Sequence, residues 1–349
     1  MKILQKEFAS INRNRLIIFL ALIKFIAPFL LQNHMYEPHR DEFLYLTEGH
    51  HMAWGYLELP PFMSALSYLT NIAGGSLFWI RFWPSLFGSL TFIIVGRMIL
   101  LLGGDIFALL LGFLPFVFGY FVHVYFIFQP NFLEGFFWTL MAYGLILHVH
   151  TGKPKGLYLS GIAFGLGMMS KYSISFFAIS LFLGLLLTRE RKIFFDKHFY
   201  FALLTSLVIF LPNLIWQYNH GFPEAYHLKE LQRQQLQNVR QTDFLVDQLL
   251  FNLPCIFIWT SGWYWVAFTV SGKANRFIGW AAFFVILILV AGHGKSYYGM
   301  ALYPILFGFG AVHIEKWTAG RRKYIRYIIL IFTLLTILIL KCHLLALPN

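Results

Sequence analysis

Charge and cysteine are both scarce in this 349-residue chain. Only 12% of its residues are charged, against about 25% in an ordinary soluble domain. Acidic side chains are rarest, with 15 Asp and Glu facing 27 Lys and Arg. So little charge cannot cover the surface of a soluble fold this size, which excludes a soluble enzyme, a disordered chain and a fibrous repeat. Two cysteines, Cys255 and Cys342, are too few for a disulfide framework, and both are expected to pack in apolar surroundings. What is abundant is apolar: 58% hydrophobic residues, including 40 Phe. The composition predicts an all-α, polytopic membrane protein. The formal charge of +12 is a candidate topology signal, not a nucleic-acid footprint, and no nucleic-acid partner is expected.

Runs long enough to cross a bilayer lie near residues 16–33, 82–101, 106–122, 131–149, 157–170, 173–188, 199–216, 245–269, 277–291, 299–314 and 327–346. The first follows a basic tail without a small-residue cleavage site and is expected to remain as an anchor. The short runs 157–170 and 173–188 read either as two spans or as one broken pair. Alternating all eleven gathers the basic clusters on one side: Lys2 to Arg15, Lys153 and Lys155, Arg189 to Lys197, Lys273 and Arg276, and Lys316 to Arg326. The positive-inside rule makes that side the cytoplasm, with the N-terminus there. Most acids, including Glu37, Asp41, Glu42, Glu48, Glu58, Glu134, Glu224, Glu230, Asp243 and Asp247, fall on the opposite side. Charges at that boundary are costly, so the chemistry is sought there.

Two outer segments are longer than turns. Residues 34–80 read as two helices along the membrane surface, separated by Pro60–Pro61, with Trp54, Tyr56 and Tyr68 suited to the interface. Residues 217–244 read as a polar helix with a weak Leu228, Leu231, Leu236 stripe, either a solvated connector or a lid. No separate soluble domain and no internal repeat is visible, so 1–349 reads as a single transmembrane domain.

Arg40-Asp41-Glu42 opens the first outer segment, and a carboxylate there is a candidate general base. Glu58 precedes the proline pair. Asn131 and Glu134, three residues apart, share a helix face. Lys171-Tyr172 and Lys295, followed closely by Tyr297 and Tyr298, place lysines at outer turns, where a cation can neutralise a phosphate. His34, His39, His50 and His51 crowd the first segment without tight ligand spacing, so no metal or other cofactor is expected to be required. Outward carboxylates and cations on a lipid-embedded bundle suit transfer of a sugar from a lipid phosphate.

The run R-D-E-F-L-Y-L-T-E-G-H-H-M-A-W-G-Y-L-E-L-P-P resembles the first periplasmic segment of bacterial membrane glycosyltransferases of the protein-mannosyltransferase and aminoarabinose-transferase type. Further similar blocks follow in order: S-L-F-W-I-R-F-W-P-S-L-F-G-S-L-T, N-F-L-E-G-F-F-W-T-L, G-L-G-M-M-S-K-Y-S, P-N-L-I-W-Q-Y-N-H-G-F-P and G-K-S-Y-Y-G-M-A-L-Y-P. Together they span about residues 34–312. The resemblance implies the C-type membrane glycosyltransferase fold and a polyprenyl-phosphate-linked hexose or pentose donor. It implies transfer on the periplasmic face of the inner membrane, with inversion, to a lipid, glycan or protein hydroxyl. It makes Asp41 the base and Glu42 its partner, with Glu134, Asn131 and Glu58 in the site. Tyr56, Tyr172, Tyr297 and Tyr298 are further candidates to line the substrate. Leu59 stands where aminoarabinose transferases carry a phosphate-holding lysine, which argues against aminoarabinose transfer and leaves the phosphate to Arg40, Lys171 or Lys295. No large C-terminal soluble domain of the kind found in longer relatives is expected. The competing expectation is a transporter or flippase of lipid-linked sugars, which predicts midplane charges and pseudo-symmetric halves; Lys24 is the one residue read as deeply embedded.

Overall fold

The computed structural model describes residues 2–32 and 38–346. His34 and Glu37 lie outside the described residues, and the side chain of Cys342 is likewise not described. The described residues form helices without strands. In order these are α1 (Lys2–Leu31), α2 (Arg40–Glu48), α3 (Phe62–Ile72), α4 (Leu77–Leu101), α5 (Ile106–Val117), α6 (Tyr120–Val124), α7 (Asn131–Thr151) and α8 (Lys155–Met168). There follow α9 (Ile174–Leu186), α10 (Lys197–Asn219), α11 (Pro223–Gln234), α12 (Gln241–Phe251), α13 (Ile256–Phe268), α14 (Arg276–Ala291), α15 (Tyr303–Trp317) and α16 (Tyr324–Ala346).

Each expected span coincides with helix, but not each is a straight crossing. Among the described residues, five helical stretches are long and apolar enough to span alone: Leu77–Leu101, Asn131–Thr151, Lys197–Asn219, Lys273–Ala291 and Ser296–Trp317. The expected span 245–269 is bent by 60° where α12 meets Leu253–Phe268. Pro254, which has no N–H to donate, follows that junction. The expected span 106–122 is likewise interrupted. α5 ends at Val117, and Gly119 takes φ 90°, a conformation a side chain would resist. The segments 157–170 and 173–188 become two separate helices, α8 packed on α7 and α10, and α9 packed on α14.

The charged residues sort to two ends. At one end Arg97 donates to Asn14 at 2.8 Å, Arg13 meets Asp105 at 3.6 Å, Glu315 accepts from the Asp105 and Ala108 amides, and Lys316 donates to the Leu102 carbonyl. Asp41, Gln129 and Lys171 lie at the other. Between them runs an apolar core rich in Phe, including the stacked pair Trp138–Phe177 at 4.6 Å. Tyr125 is wedged between α4 and α7. A Cβ on Gly88 would meet its ring at 2.7 Å, and one on Gly135 would meet its hydroxyl at 2.8 Å. Lys24 is buried, as expected, with its ammonium 5.5 Å from the same ring.

α2 and α3 are the two helices expected in the first outer segment. The Ser67 hydroxyl and the Asn71 amide both donate to the Leu46 carbonyl, clasping α3 to α2. Phe62 N donates to Met169 O at 2.9 Å and Trp83 Nε1 to Thr70 at 2.8 Å, so the pair is docked on the bundle. Phe43, Leu44, Tyr68, Leu69 and Ile72 remain exposed, an apolar rim suited to the membrane interface. α11 realises the polar helix of the second outer segment and buries none of its residues.

Candidate active site

The site begins with the capping of α2. His39 is the N-cap and its ring nitrogen accepts from Asp41 N at 3.2 Å. Glu42, at the third helical position, reaches back to His39 N at 2.6 Å, completing a capping box. One residue of helix is about 100° of rotation, so Asp41 and Glu42 face different surroundings.

Glu42 is fully buried against Arg81, also fully buried, whose Nη1 and Nη2 both donate to the carboxylate. Phe128 N adds a bond of 2.7 Å. The Arg81 guanidinium lies 4.5 Å from the Phe126 ring centre and donates to its carbonyl at 3.3 Å. The expectation that Glu42 handles substrate is therefore revised: with both oxygens engaged inside the protein, it anchors the first turn of α2 to α4 and to the Phe126–Phe128 backbone. Sequence reasoning missed the partner because it began the helix at residue 82; α4 starts at Leu77, which turns Arg81 inward.

Asp41 points the other way. Its side chain is 39% exposed, and Gln129 Nε2 donates to it at 3.3 Å. Arg40, 93% exposed, lies alongside with Nε 3.5 Å from the carboxylate. Gln129, not singled out from sequence, connects Asp41 to a second polar group. Its carbonyl accepts from Asn131 at 3.3 Å, Asn131 accepts from Lys171 Nζ at 3.0 Å, and Lys171 pairs with Glu134 at 2.7 Å. Ser173 also donates to Glu134, whose side chain is only 2% exposed. Lys171 sits over the rings of Tyr298 (4.9 Å) and Tyr297 (5.6 Å). A recess beside this group is lined by Tyr120, Asn131, Glu134, Tyr297 and Met300. Lys295 lies close enough to feel both Asp41 and Lys171 electrostatically; burial holds its ammonium below the usual lysine range, and Asp41 opposes that shift.

The other expected residues have defined places. The Tyr56 hydroxyl accepts from Ala53 N and donates towards the Glu48 and His51 carbonyls, so it pins the loop after α2, while the residue stays half-buried. Tyr172 donates to Asn213 at 2.8 Å and accepts from Gln217 at 3.0 Å. Asn213 in turn donates to the Trp54 carbonyl, tying α10 to the first outer segment. Leu59 is buried, so position 59 presents nothing to the site. Among the described residues no three His, Cys, Asp or Glu side chains converge as a metal-binding set. Tyr45, four residues after Asp41 and so on its helix face, was missed: burial raises its phenol, and Asp41, Glu58, Glu48 and Tyr298 add to that.

Exposed Glu58 acts on two further acids. Burial first, then Glu58, raises Glu48 to about 7 and Glu224 to about 8. A carboxyl raised above its unfolded value stabilises the fold when protonated. That contribution is complete below the unfolded pKa of 4.5 and is lost as pH rises through about 7 to 8. The protection factors for amide exchange (rates corrected for the base-catalysed intrinsic rate) of the loop after α2 and of the first turn of α11 are therefore expected to rise on acidification from pH 8.5 to 6. Glu224→Gln should flatten the α11 response; an unchanged pH dependence in that variant would refute the assignment.

Comparison with known proteins agrees with this architecture. Residues 59–216 match the family model described as dolichyl-phosphate-mannose-protein mannosyltransferase. No curated protein sequence matches the chain. A crystal structure of ArnT from Cupriavidus metallidurans bound to undecaprenyl phosphate superposes with a TM-score of 0.67 at 18% identity, over 88% of this chain. The chain spans 61% of the length of that ArnT chain. The resemblance drawn from the residues thus holds: this is a multi-pass membrane protein with the C-type membrane glycosyltransferase fold, similar over residues 59–216 to the protein mannosyltransferases.

Proposed function

We propose that the protein transfers a hexosyl or pentosyl group from a polyprenyl-phosphate donor to an acceptor hydroxyl, with Asp41 as general base. The observation that carries this reading is the asymmetry of the carboxylates. Glu42 and Glu134 are themselves buried and engaged by protein donors, whereas Asp41 keeps lone pairs open at the mouth of the site. In the reaction the acceptor O–H gives its proton to Asp41 and its oxygen bonds to the anomeric carbon. The bond from that carbon to the phosphate oxygen breaks, releasing polyprenyl phosphate. Attack from the face opposite the leaving group inverts the anomeric centre.

The leaving phosphate gains negative charge and needs a cation. Lys171 is already paired with Glu134, so Lys295 is the better phosphate holder, with exposed Arg40 at the rim. Asn131 and Glu134 hold Lys171 beneath Tyr297 and Tyr298, and these rings face the sugar. Glu58 and Tyr172 border the acceptor side. In the cell this end of the bundle faces the periplasm from the inner membrane, following the basic clusters at the other end. The acceptor is a lipid, glycan or protein hydroxyl.

The test is incubation of the purified protein with radiolabelled polyprenyl-phosphate hexoses and pentoses and candidate acceptors. Transfer of label to a hydroxyl is the expected result. Passage of the labelled lipid across a vesicle bilayer without transfer would instead identify a transporter. Lys295→Ala is expected to raise KM for the donor more than tenfold, since a hydrogen bond to a charged group contributes about 1.5–3 kcal/mol. An unchanged donor KM would reassign the phosphate to Lys171 or Arg40.

A further inference from the structure

An apolar cavity of about 220 Å³ lies between α7, α8, α9 and α10, in the half of the bundle away from Asp41. Its α7 residues, Met141 and Leu145, are seven and eleven positions beyond Glu134, or about 10 to 17 Å along the helix at 1.5 Å per residue. The wall includes Ser160, Ala178, Phe182, Phe194, Phe199 and Leu203. Ser160 adds no free polarity, because its hydroxyl donates to the Met141 and Gly156 carbonyls. Phe182 and Leu203 are 47% and 43% exposed, so the cavity communicates with the apolar surroundings of the bundle.

A dry apolar cavity of about 150 Å³ already takes up benzene. This larger one forfeits dispersion contacts along its lining unless hydrocarbon enters. The chemistry at its end-facing edge specifies which hydrocarbon. Phe194 belongs to the 3₁₀ turn Arg189–Phe195, and Phe199 to the first turn of α10. In a 3₁₀ helix residues three apart eclipse, which puts Arg191 on the same edge as Phe194. Arg189 and Arg191 are exposed, whereas Lys192 is paired with Glu190 at 3.3 Å. One uncompensated guanidinium, Arg191, thus stands at the edge of an apolar slot at the end of the bundle opposite the Asp41 site, with exposed Arg189 on the neighbouring face of the same short turn.

We infer that this is a binding site for an anionic glycerophospholipid of the leaflet at that end, with one acyl chain in the cavity and the phosphate on Arg189 and Arg191. A polyprenyl phosphate held by its phosphate at the Asp41 end would have no use for these arginines.

The experiment is rebinding of dioleoyl phosphatidylglycerol and dioleoyl phosphatidylcholine to the delipidated full-length protein, read by native mass spectrometry. Phosphatidylglycerol should bind preferentially. Neutralising the exposed pair in R189Q/R191Q should weaken it by about fivefold per arginine while leaving phosphatidylcholine unchanged. Ala178→Leu, which fills the slot, should weaken both lipids. Equal binding of the two lipids, or a preference untouched by R189Q/R191Q, would overturn the headgroup assignment. Displacement of phosphatidylglycerol by undecaprenyl phosphate in the wild type, but not in Ala178→Leu, would make the cavity a prenyl-chain site and overturn the proposal. The readout does not depend on glycosyl transfer, so it fails or succeeds independently of the proposed function.

Discussion

Asp41→Asn is expected to lower glycosyl transfer by about 10²–10⁴-fold, the usual contribution of a positioned general base. The substitution preserves shape and the ability to accept from Gln129, but removes the group that takes the acceptor's proton. Asp41 is partly exposed and outside the buried ion pairs, so the change in stability should stay within about 0.5 kcal/mol. The decisive measurement is single-turnover transfer with donor saturating, alongside the thermal midpoint in detergent. A variant that folds, binds donor and still transfers at the wild-type rate would remove Asp41 from the mechanism. Substituting Glu42 cannot answer the same question, because losing a fully buried partner of Arg81 damages the fold as well.

The largest effect on stability is expected from that pair. Arg81→Met should destabilise by about 3–5 kcal/mol, since it leaves the Glu42 carboxylate buried without its cation. Resistance to denaturation by sodium dodecyl sulfate measures this directly. The double variant Glu42→Leu with Arg81→Met should recover much of the loss, because a well-packed apolar pair often replaces a buried ion pair at little cost. It should not recover activity. The α2 N-terminus would lose its capping carboxylate and Phe128 N its acceptor, so Asp41 and Gln129 would lose their fixed relation. A single Arg81→Met variant as stable as wild type would show that the pair does not anchor α2.

These two predictions concern Asp41 and the buried partner of its neighbour Glu42, which illustrates what the sequence made legible. The triplet, the Asn131–Glu134 face and Lys171 were recognisable because charges at the boundary of apolar runs are costly and few. Their division of labour was not, since it depends on the helical register of α2 and on a partner 39 positions away. Arg81 looked like a boundary charge because the start of α4 was placed five residues late. Tyr45 carried a usable signal, its spacing of four from Asp41. Gln129 carried none: an amide before a proline gains meaning only when the chain folds Asp41 and Asn131 around it. The bend after α12 was also signalled, by Pro254, within a run whose hydropathy alone reads as continuous.

The wedge of Tyr125 between Gly88 and Gly135 has a consequence at the site. α4 carries Arg81 and α7 carries Glu134, so the separation of the two ion pairs is set by the width of one aromatic ring seated in two notches. In the proposed reaction, a spacer in the apolar interior thereby helps set how far Asp41, on the helix that Glu42 anchors, stands from the Lys171–Glu134 group. Alanine at Gly88 or Gly135 would act as a shim, spreading the helices and misaligning donor and acceptor without altering a single group that touches them.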